Sequence, residues 1–581
     1  MSVDFDVCVI GSGAGAGPII WSLAKAGYTV VVLEKGPYLQ SKDLFKDERF
    51  GNLRGGYKPD LRDEPHIVEE EDDDGNWHAR NTYRSGTNFW NGNLVGGSSN
   101  FMSGFFHRLK PVDFHLRSQF GAVEGANVVD WPIDYDELEP YYTKVEQIVG
   151  VSGKVVKHPH QEPRSTPDFP YPPTQVHPVS HLIDQASKSL GYHSIPTPRA
   201  ILPTAALGRH GCSYSGYCGA YGCATDAKGS SRAALIDQAV ASGRVQVHPY
   251  SMVKKIRTGG NGKIVAVEYL NKQGQTQQVD AQIYVVACQA IETARLLLNS
   301  QGPKHEHGLA NRNQQVGKNL LFAGGGSGSG RLVYSKMNKD KIASLKEFGT
   351  FVNRAIQDWY VIDDPDFGPP QKGGTIDFVH MHPNPVVRAT RQMYGQNGLI
   401  WGTELKRKLE RHFIDSRFLK IEAFCDWMPI DDCHITLDAN TRDKWDLPVA
   451  KVRTGYHVQN LQVGWYLASR GAKVLKAMGA ENVISFASAK PPTNLIAGGC
   501  RFGQDPASSV LDADCRSHEI DNLFVSDGSF MPTGGSVPYT WTIYANSFRV
   551  ADKIIAQLGG EKEKTFTAED TKVGKGKIVF S

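Results

Sequence analysis

Three of the nine cysteines in this 581-residue chain, Cys212, Cys218 and Cys223, fall within twelve residues in the stretch HGCSYSGYCGAYGCATDAKGSS. A disulfide would leave one thiol over, and a buried core would not be built from so many glycines. Thiolates are the ligands that iron–sulfur clusters require, and flanking glycines let a loop wrap a bulky group. The same residues also suit a structural zinc with His210 as fourth ligand, or three thiols without a metal. The residues alone leave these readings open.

A second constellation sits at the start of the chain. In VIGSGAGAG, Gly11, Gly13 and Ala16 fit G-x-G-x-x-[G/A], and Glu34 follows 23 residues after Gly11. The first glycine permits a tight turn, the second admits a pyrophosphate, and the small third residue allows close helix–strand packing. The following helix points its positive end at the phosphates, and Glu34 accepts from the ribose hydroxyls. A proton acceptor is harder to find. His380 and His382, in DFVHMHPNP, would share one face of a strand.

The elements that must carry these residues follow from pattern. FDVCVI, the glycine turn, PIIWSLAKAGY and TVVVLEKG read as strand, turn, helix and strand. The acidic run Glu69–Asp74 reads as a solvated surface loop. A second glycine-rich segment spans Asn91–Gly104, and Trp131–Gly150 has helical periodicity from Tyr135. After the cysteine loop come the helix SSRAALIDQAVASG and two strands joined by GGNG. Residues 330–490 alternate short strands and helices, and Asn522–Leu558 repeats strand, glycine turn and helix.

Composition excludes several classes. Apolar content of 40%, charged content of 22% and a net charge of +3 describe a soluble globular chain with no nucleic-acid footprint. Scattered cysteines do not resemble a secreted disulfide framework. MSVDFDVCVIGSG has no basic region or cleavage site, so no signal peptide is expected. Val7–Ala24 and Ser529–Phe548 lack charge, but their glycines and prolines read as loop plus helix and not as membrane spans.

Taken together, VIGSGAGAG, NLVGGSSNFMSG, YVVACQAIETARLLLNS and GGCRFGQDP…LDADCRSHEIDNLFVSDGSFMPTGG resemble the glucose–methanol–choline (GMC) oxidoreductases. FFHRLKPVDF, WPIDYDELEPYYTKVEQIVGVSG and the cysteine loop look like the branch containing flavoprotein subunits of bacterial gluconate, fructose, sorbitol and glucose dehydrogenases. The resemblance implies an α/β fold, a Rossmann-like FAD-binding domain with an inserted α+β substrate domain. The FAD-binding parts would be 1–110, 206–325 and 491–560. Residues 111–205 would form a substrate or cap region with linker, 326–490 the substrate-binding domain, and 561–581 a tail.

The resemblance also implies bound FAD. Gly11, Gly13 and Glu34 would hold its ADP half, and Val253 would pair backbone with the adenine. Gly97 and Asn100 would line the isoalloxazine, and Asp527 would bind the ribityl or diphosphate region. In that branch three loop cysteines ligate a [3Fe–4S] cluster, a role that falls on Cys212, Cys218 and Cys223. A four-iron cluster is disfavoured by Ser215, where gluconate dehydrogenases tend to have a further cysteine.

One part of the pattern breaks. The family's usual base is a histidine in a stretch resembling H-x-x-G-T-C-R-x-G, and here Leu495 occupies its place with Asn494 just before it. The partner position in the next glycine turn falls near Val537 or Pro538. An asparagine can orient a substrate but cannot take a proton at neutral pH. Three readings stay open: a base recruited from His380, His382 or Tyr539 with a lowered pKa; chemistry that needs no such base, because the substrate is acidic or the hydride donor differs; or a chain that has lost catalysis.

The function expected is FAD-dependent oxidation of a C–OH group in a sugar, sugar acid, polyol or glycoside. Electrons would pass through the cluster to an external cytochrome or quinone-linked acceptor. The rival is a catalytically altered GMC-like chain that only relays electrons or supports an assembly. A small subunit is an implied partner, membrane contact is expected only through a partner, and the compartment is cytoplasmic, or periplasmic if a signal-bearing partner carries the chain.

Overall fold

The computed structural model describes residues 4–44, 54–215, 217–346, 351–380, 385–396 and 398–562. Five short strands form a parallel sheet in the order Leu523–Val525, Ala281–Val286, Phe5–Ile10, Val30–Leu33 and Val245–His248. Their residues are apolar almost without interruption because helices and other layers cover the sheet. Val30–Leu33 and Leu523–Val525 are buried throughout. Helix Gly17–Lys25 follows the glycine turn and packs against the last helix, Thr540–Gln557, with Trp21 edge-on to Phe548 at 5.9 Å. Met252–Thr258, Ile264–Leu270 and Thr276–Val279 add an antiparallel meander whose first turn is the expected GGNG.

A larger sheet builds the second layer, in the order Glu481–Ala487, Gly326–Val333, Ser416–Asp426, Gly374–His380, Arg354–Ile356 and Ser194–Pro196. Leu320–Gly324 joins it through Ser416–Asp426 and also pairs with Ile496–Gly498. Helix Val458–Ala477 lies on this sheet so closely that a Cβ on Gly464 would come within 2.7 Å of the Gly325 backbone. Ile376, Phe378, Leu419, Ile421, Leu467 and Leu475 fill the space between them.

Two sequence expectations change. The acidic run is a solvated turn only from Asp72 onward: Ile67–Glu71 is a strand, paired antiparallel with Trp77–Asn81 and parallel with Pro448–Thr454. Glu69 is buried because Lys451 and Arg453 reach its carboxylate at 2.7 and 3.0 Å. Segment 111–205 does not form one region either. Helix Tyr135–Val145 packs on Thr540–Gln557, whereas Ser194–Pro196 is an edge strand of the large sheet. Among the described residues no helix is long and apolar enough to cross a membrane.

Candidate active site

The residues just beyond the ends of the parallel strands line a cleft: Gly11–Gly15, Glu34, Ala287–Gln289, Asp527 and Gly528. Such crevices at the carboxyl ends of parallel strands are where doubly wound sheets bind ligands. The cleft encloses about 1510 Å³, part of it open to solvent, and runs from Val253 to Leu495 and Tyr539. A lining that stretches from the glycine turn to Tyr539 suits a long dinucleotide.

The glycines of the turn divide their work. A Cβ on Gly13 would meet no atom within 4 Å, so this backbone faces the open cleft. A Cβ on Gly15 would lie 1.5 Å from the Ser526 carbonyl oxygen, so Gly15 lets two chain segments touch. Ala16, expected to perform that packing, is fully buried and does not line the cleft; Gly15 was missed because the motif skips it. Glu34 accepts from Ser12 Oγ at 2.5 Å and from the Gly36 N–H at 2.9 Å. Burial raises its pKa, which ribose hydroxyl donors would offset.

Val253 and Gly97 line the cleft, and Gly97 (φ 54°) approaches Gly13 so closely that a Cβ on it would lie 3.1 Å from the Gly13 Cα. Asn100 lies behind this loop, where its amide donates to the carbonyls of Val95 and Gly97 at 3.0 and 2.9 Å; it braces the wall and does not line it. Asp527 faces the cleft, yet it already accepts from the Gln289 N–H, Thr293 Oγ1, the Ser529 N–H and Ser529 Oγ. Four donors fill the lone pairs of a carboxylate. The residue therefore ties the start of helix Ala290–Asn299 to the turn after Leu523–Val525.

At the far end stand Leu495, Tyr539 and the first turn of helix Thr540–Gln557, whose positive end opens on the cleft. The expected bases are distributed differently. His380 does not line the cleft: it is the half-buried last residue of strand Gly374–His380 in the large sheet, its ring edge-on to His177 at 4.5 Å. Burial, with Arg417 and His177 nearby, holds its pKa well below 6.5, which weakens it as a base. Asn494 is exposed and also outside the lining. His382 lies outside the described residues. Tyr539 is in place, but burial pushes its pKa well above 10, so at neutral pH its hydroxyl is a donor.

Behind Tyr539 lies an ionisable cluster that no motif announced. Asp426 ends Ser416–Asp426 and is 5% exposed. Its Oδ2 faces Ser536 Oγ at 3.1 Å, while Oδ1 has no hydrogen-bond donor. Lys372 donates to Ser536 Oγ at 2.5 Å, sits 3.2 Å from Asp113 and lies over the Tyr360 ring at 3.7 Å. A Cβ on Gly534 would be 3.8 Å from both Asp426 Oδ1 and Tyr539 Cε1, so the carboxylate and the cleft wall meet at that glycine. Burial, reinforced by Asp113, raises the Asp426 pKa against the pull of Lys372. The sequence FCDW offered no spacing by which to find it.

None of the nine cysteines forms a disulfide. Cys212, Cys218 and Cys223 are partly buried, and three buried cations surround them. Arg199, Arg209 and Lys228 end on carbonyls and an amide, and none has a carboxylate within ion-pair distance among the described residues. Burial brings the Arg199 and Arg209 pKa values down to about 10, against the pull of Cys218, Asp377 and Cys212 on Arg199 and of Asp226 and Cys223 on Arg209. Burial raises the Cys223 thiol, but Lys228 and Thr225 outweigh it and hold the pKa below 9.0. The loop is built for negative charge. It also touches the cofactor wall: the Ala220 N–H donates to the Phe101 carbonyl at 2.8 Å, and Lys228 donates to the Asn100 carbonyl at 3.1 Å. The three Sγ atoms do not converge to the separations of ligands on one ion; among the described residues only His158, His193 and Asp358 do so.

A parallel sheet with a glycine turn and an acid on the next strand, roofed by a second sheet, defines a flavin-type oxidoreductase architecture. The GMC oxidoreductase family models match residues 79–322 and 429–547, and the chain belongs to that family. It is an FAD-dependent oxidoreductase acting on alcohol groups. It is 30% identical to the 2-methyl-1,2-propanediol dehydrogenase of Mycolicibacterium austroafricanum, over 94% of this chain and 95% of that one. With the fructose dehydrogenase large subunit of Gluconobacter japonicus it shares 25% over 95% and 98%. A formate oxidase of Aspergillus oryzae has the same fold, with a TM-score of 0.62 at 14% identity, covering 96% of this chain and 99% of that one.

Proposed function

We propose that this protein is an FAD-dependent dehydrogenase of a sugar, sugar acid, polyol or glycoside, whose electrons leave through a [3Fe–4S] cluster on Cys212, Cys218 and Cys223. The carrying observation is the contact between two loops. Residues 97–102 face the cofactor cleft on one side and hydrogen-bond the cysteine loop on the other. A group on the cysteine loop would thus be separated from the flavin by one backbone layer. Relatives named for a diol, fructose and gluconate support the substrate class.

FAD, when bound, accepts the hydride of the C–H bond. The chain's part is to hold the cofactor and to take the hydroxyl proton. We assign that proton to Asp426 Oδ1, the orphaned oxygen behind Tyr539, tuned by Lys372, which pairs with Asp113 and reaches Asp426 through Ser536. Leu495 and Val537 cannot take a proton; neither His380 nor Asp426 lines the cleft, but Asp426 abuts its wall at Gly534 and Tyr539. Tyr539 forms the intervening wall, and its hydroxyl would have to leave the Leu495 carbonyl for the substrate hydroxyl and Oδ1 to meet. Anaerobic mixing of the holoprotein with a panel of sugars and polyols tests the reading. Loss of oxidised-flavin absorbance with one of them supports it. Flavin that stays oxidised with all of them, while dithionite still bleaches it, would favour the electron-relay alternative.

A further inference from the structure

One surface element serves neither the cleft nor the cysteine loop. After strand Gly374–His380 the chain runs out through helix Pro385–Gln392, a two-stranded hairpin and helix Gly402–Phe413, then returns to the large sheet at Ser416. In the hairpin Tyr394 and Leu399 are direct cross-strand partners, so their side chains share a face. Trp401, two residues on in extended backbone, follows on that same face. These three are 63%, 55% and 76% exposed, and Ile414 at the end of the second helix is 56% exposed.

The charge around them is as uneven as the apolar exposure. Residues 385–414 hold six cations (Arg388, Arg391, Lys406, Arg407, Lys408 and Arg411) and two carboxylates, Glu404 and Glu410, a net of +4. The whole chain carries +3, so everything outside this segment sums to −1. Arg407 and Arg411, at i and i+4, stand on one side of the helix and are exposed. At the base of the element Arg331 and Ser416 donate to the Arg411 carbonyl, and His412 is buried.

We propose that residues 385–414 dock this chain directly on an anionic lipid surface. An exposed Trp and Tyr beside aliphatic side chains, ringed by Lys and Arg, is the composition that lies in the headgroup boundary. Each cation near an anionic bilayer adds to the attraction, and salt weakens it.

The test is co-sedimentation of the full-length, FAD-loaded protein with phosphatidylcholine vesicles, with and without phosphatidylglycerol. Binding is expected to the anionic vesicles, to fall with added salt, and to be about tenfold or more weaker without phosphatidylglycerol. R407E/R411E and L399S/W401S should each weaken it about tenfold or more while flavin absorbance and melting temperature stay unchanged. Absence of binding to anionic vesicles overturns the proposal, as does equal binding by both variants. Retention on polyglutamate without vesicle binding would reassign the surface to an acidic protein and overturn it equally.

Discussion

The Tyr539 hydroxyl donates to the backbone carbonyl of Leu495, the residue standing where the family's usual base is expected. Leu495 has a left-handed backbone (φ 56°), which costs a non-glycine residue on the order of 1 kcal/mol or more. Its carbonyl also accepts from the Ala323 N–H at 3.1 Å, so two donors hold the strained turn. Tyr539→Phe should therefore lower stability by about 1 kcal/mol and leave the pH dependence of turnover in place. A thermal melt and a pH–rate profile check this; disappearance of the profile's ionisation would make Tyr539 itself the base.

Asp426→Asn should reduce turnover by roughly 10²–10⁴-fold with flavin retained. The carboxylate is the active form, and its pKa is raised by burial, so wild-type turnover should climb with pH above the ordinary carboxylate range. The variant's residual rate should not climb. His380→Ala should leave turnover unchanged. A large loss in His380→Ala with normal Asp426→Asn kinetics would reverse the assignment.

Gly13→Val should abolish FAD retention, because its side chain would enter the space left open beside the turn. Flavin content after purification reads this directly, and full flavin would remove Gly13 from the binding turn.

Cys218→Ser should leave FAD bound, lose iron and stop electron flow to an acceptor that draws on the cluster. Replacing Arg199 with Gln should keep the iron but lower the cluster's reduction potential, since a buried positive charge favours the more negative state. Zinc in the native protein, lost on His210→Ala, would instead mark a structural metal site.

Stability should fall as the solution is acidified. Burial, with Arg388 and Arg331 close by, lowers the His412 pKa from 6.5 to about 4. Between those values the unfolded chain binds a proton that the folded chain refuses, so folding weakens as pH drops and is unaffected by this group above pH 6.5. His412→Gln should flatten that part of the melting-temperature profile.

The dinucleotide turn and the two ends of the parallel sheet were legible because Gly11, Gly13 and Glu34 act through local geometry. The acidic run misled because Glu69 meets Lys451 and Arg453 from nearly four hundred residues away, and no local pattern carries such pairing. Asp426 was invisible for the same reason: Lys372, Asp113 and Ser536 come from four separate elements with it. His380 was overvalued because strand alternation says which residues share a face, not which layer the face meets.

The first turn of the cofactor site is made near the beginning of the chain, but its backing is not. Ser526 Oγ donates to the Gly15 carbonyl across 511 residues, and the strand it follows, Leu523–Val525, pairs with Ala281–Val286. During synthesis the glycine turn must therefore wait for nearly the whole polypeptide before its wall is in place. Tight retention of the flavin is consequently a property of the finished chain. A ribosome-bound nascent chain ending before Leu523 holds the binding motif but not the binding site.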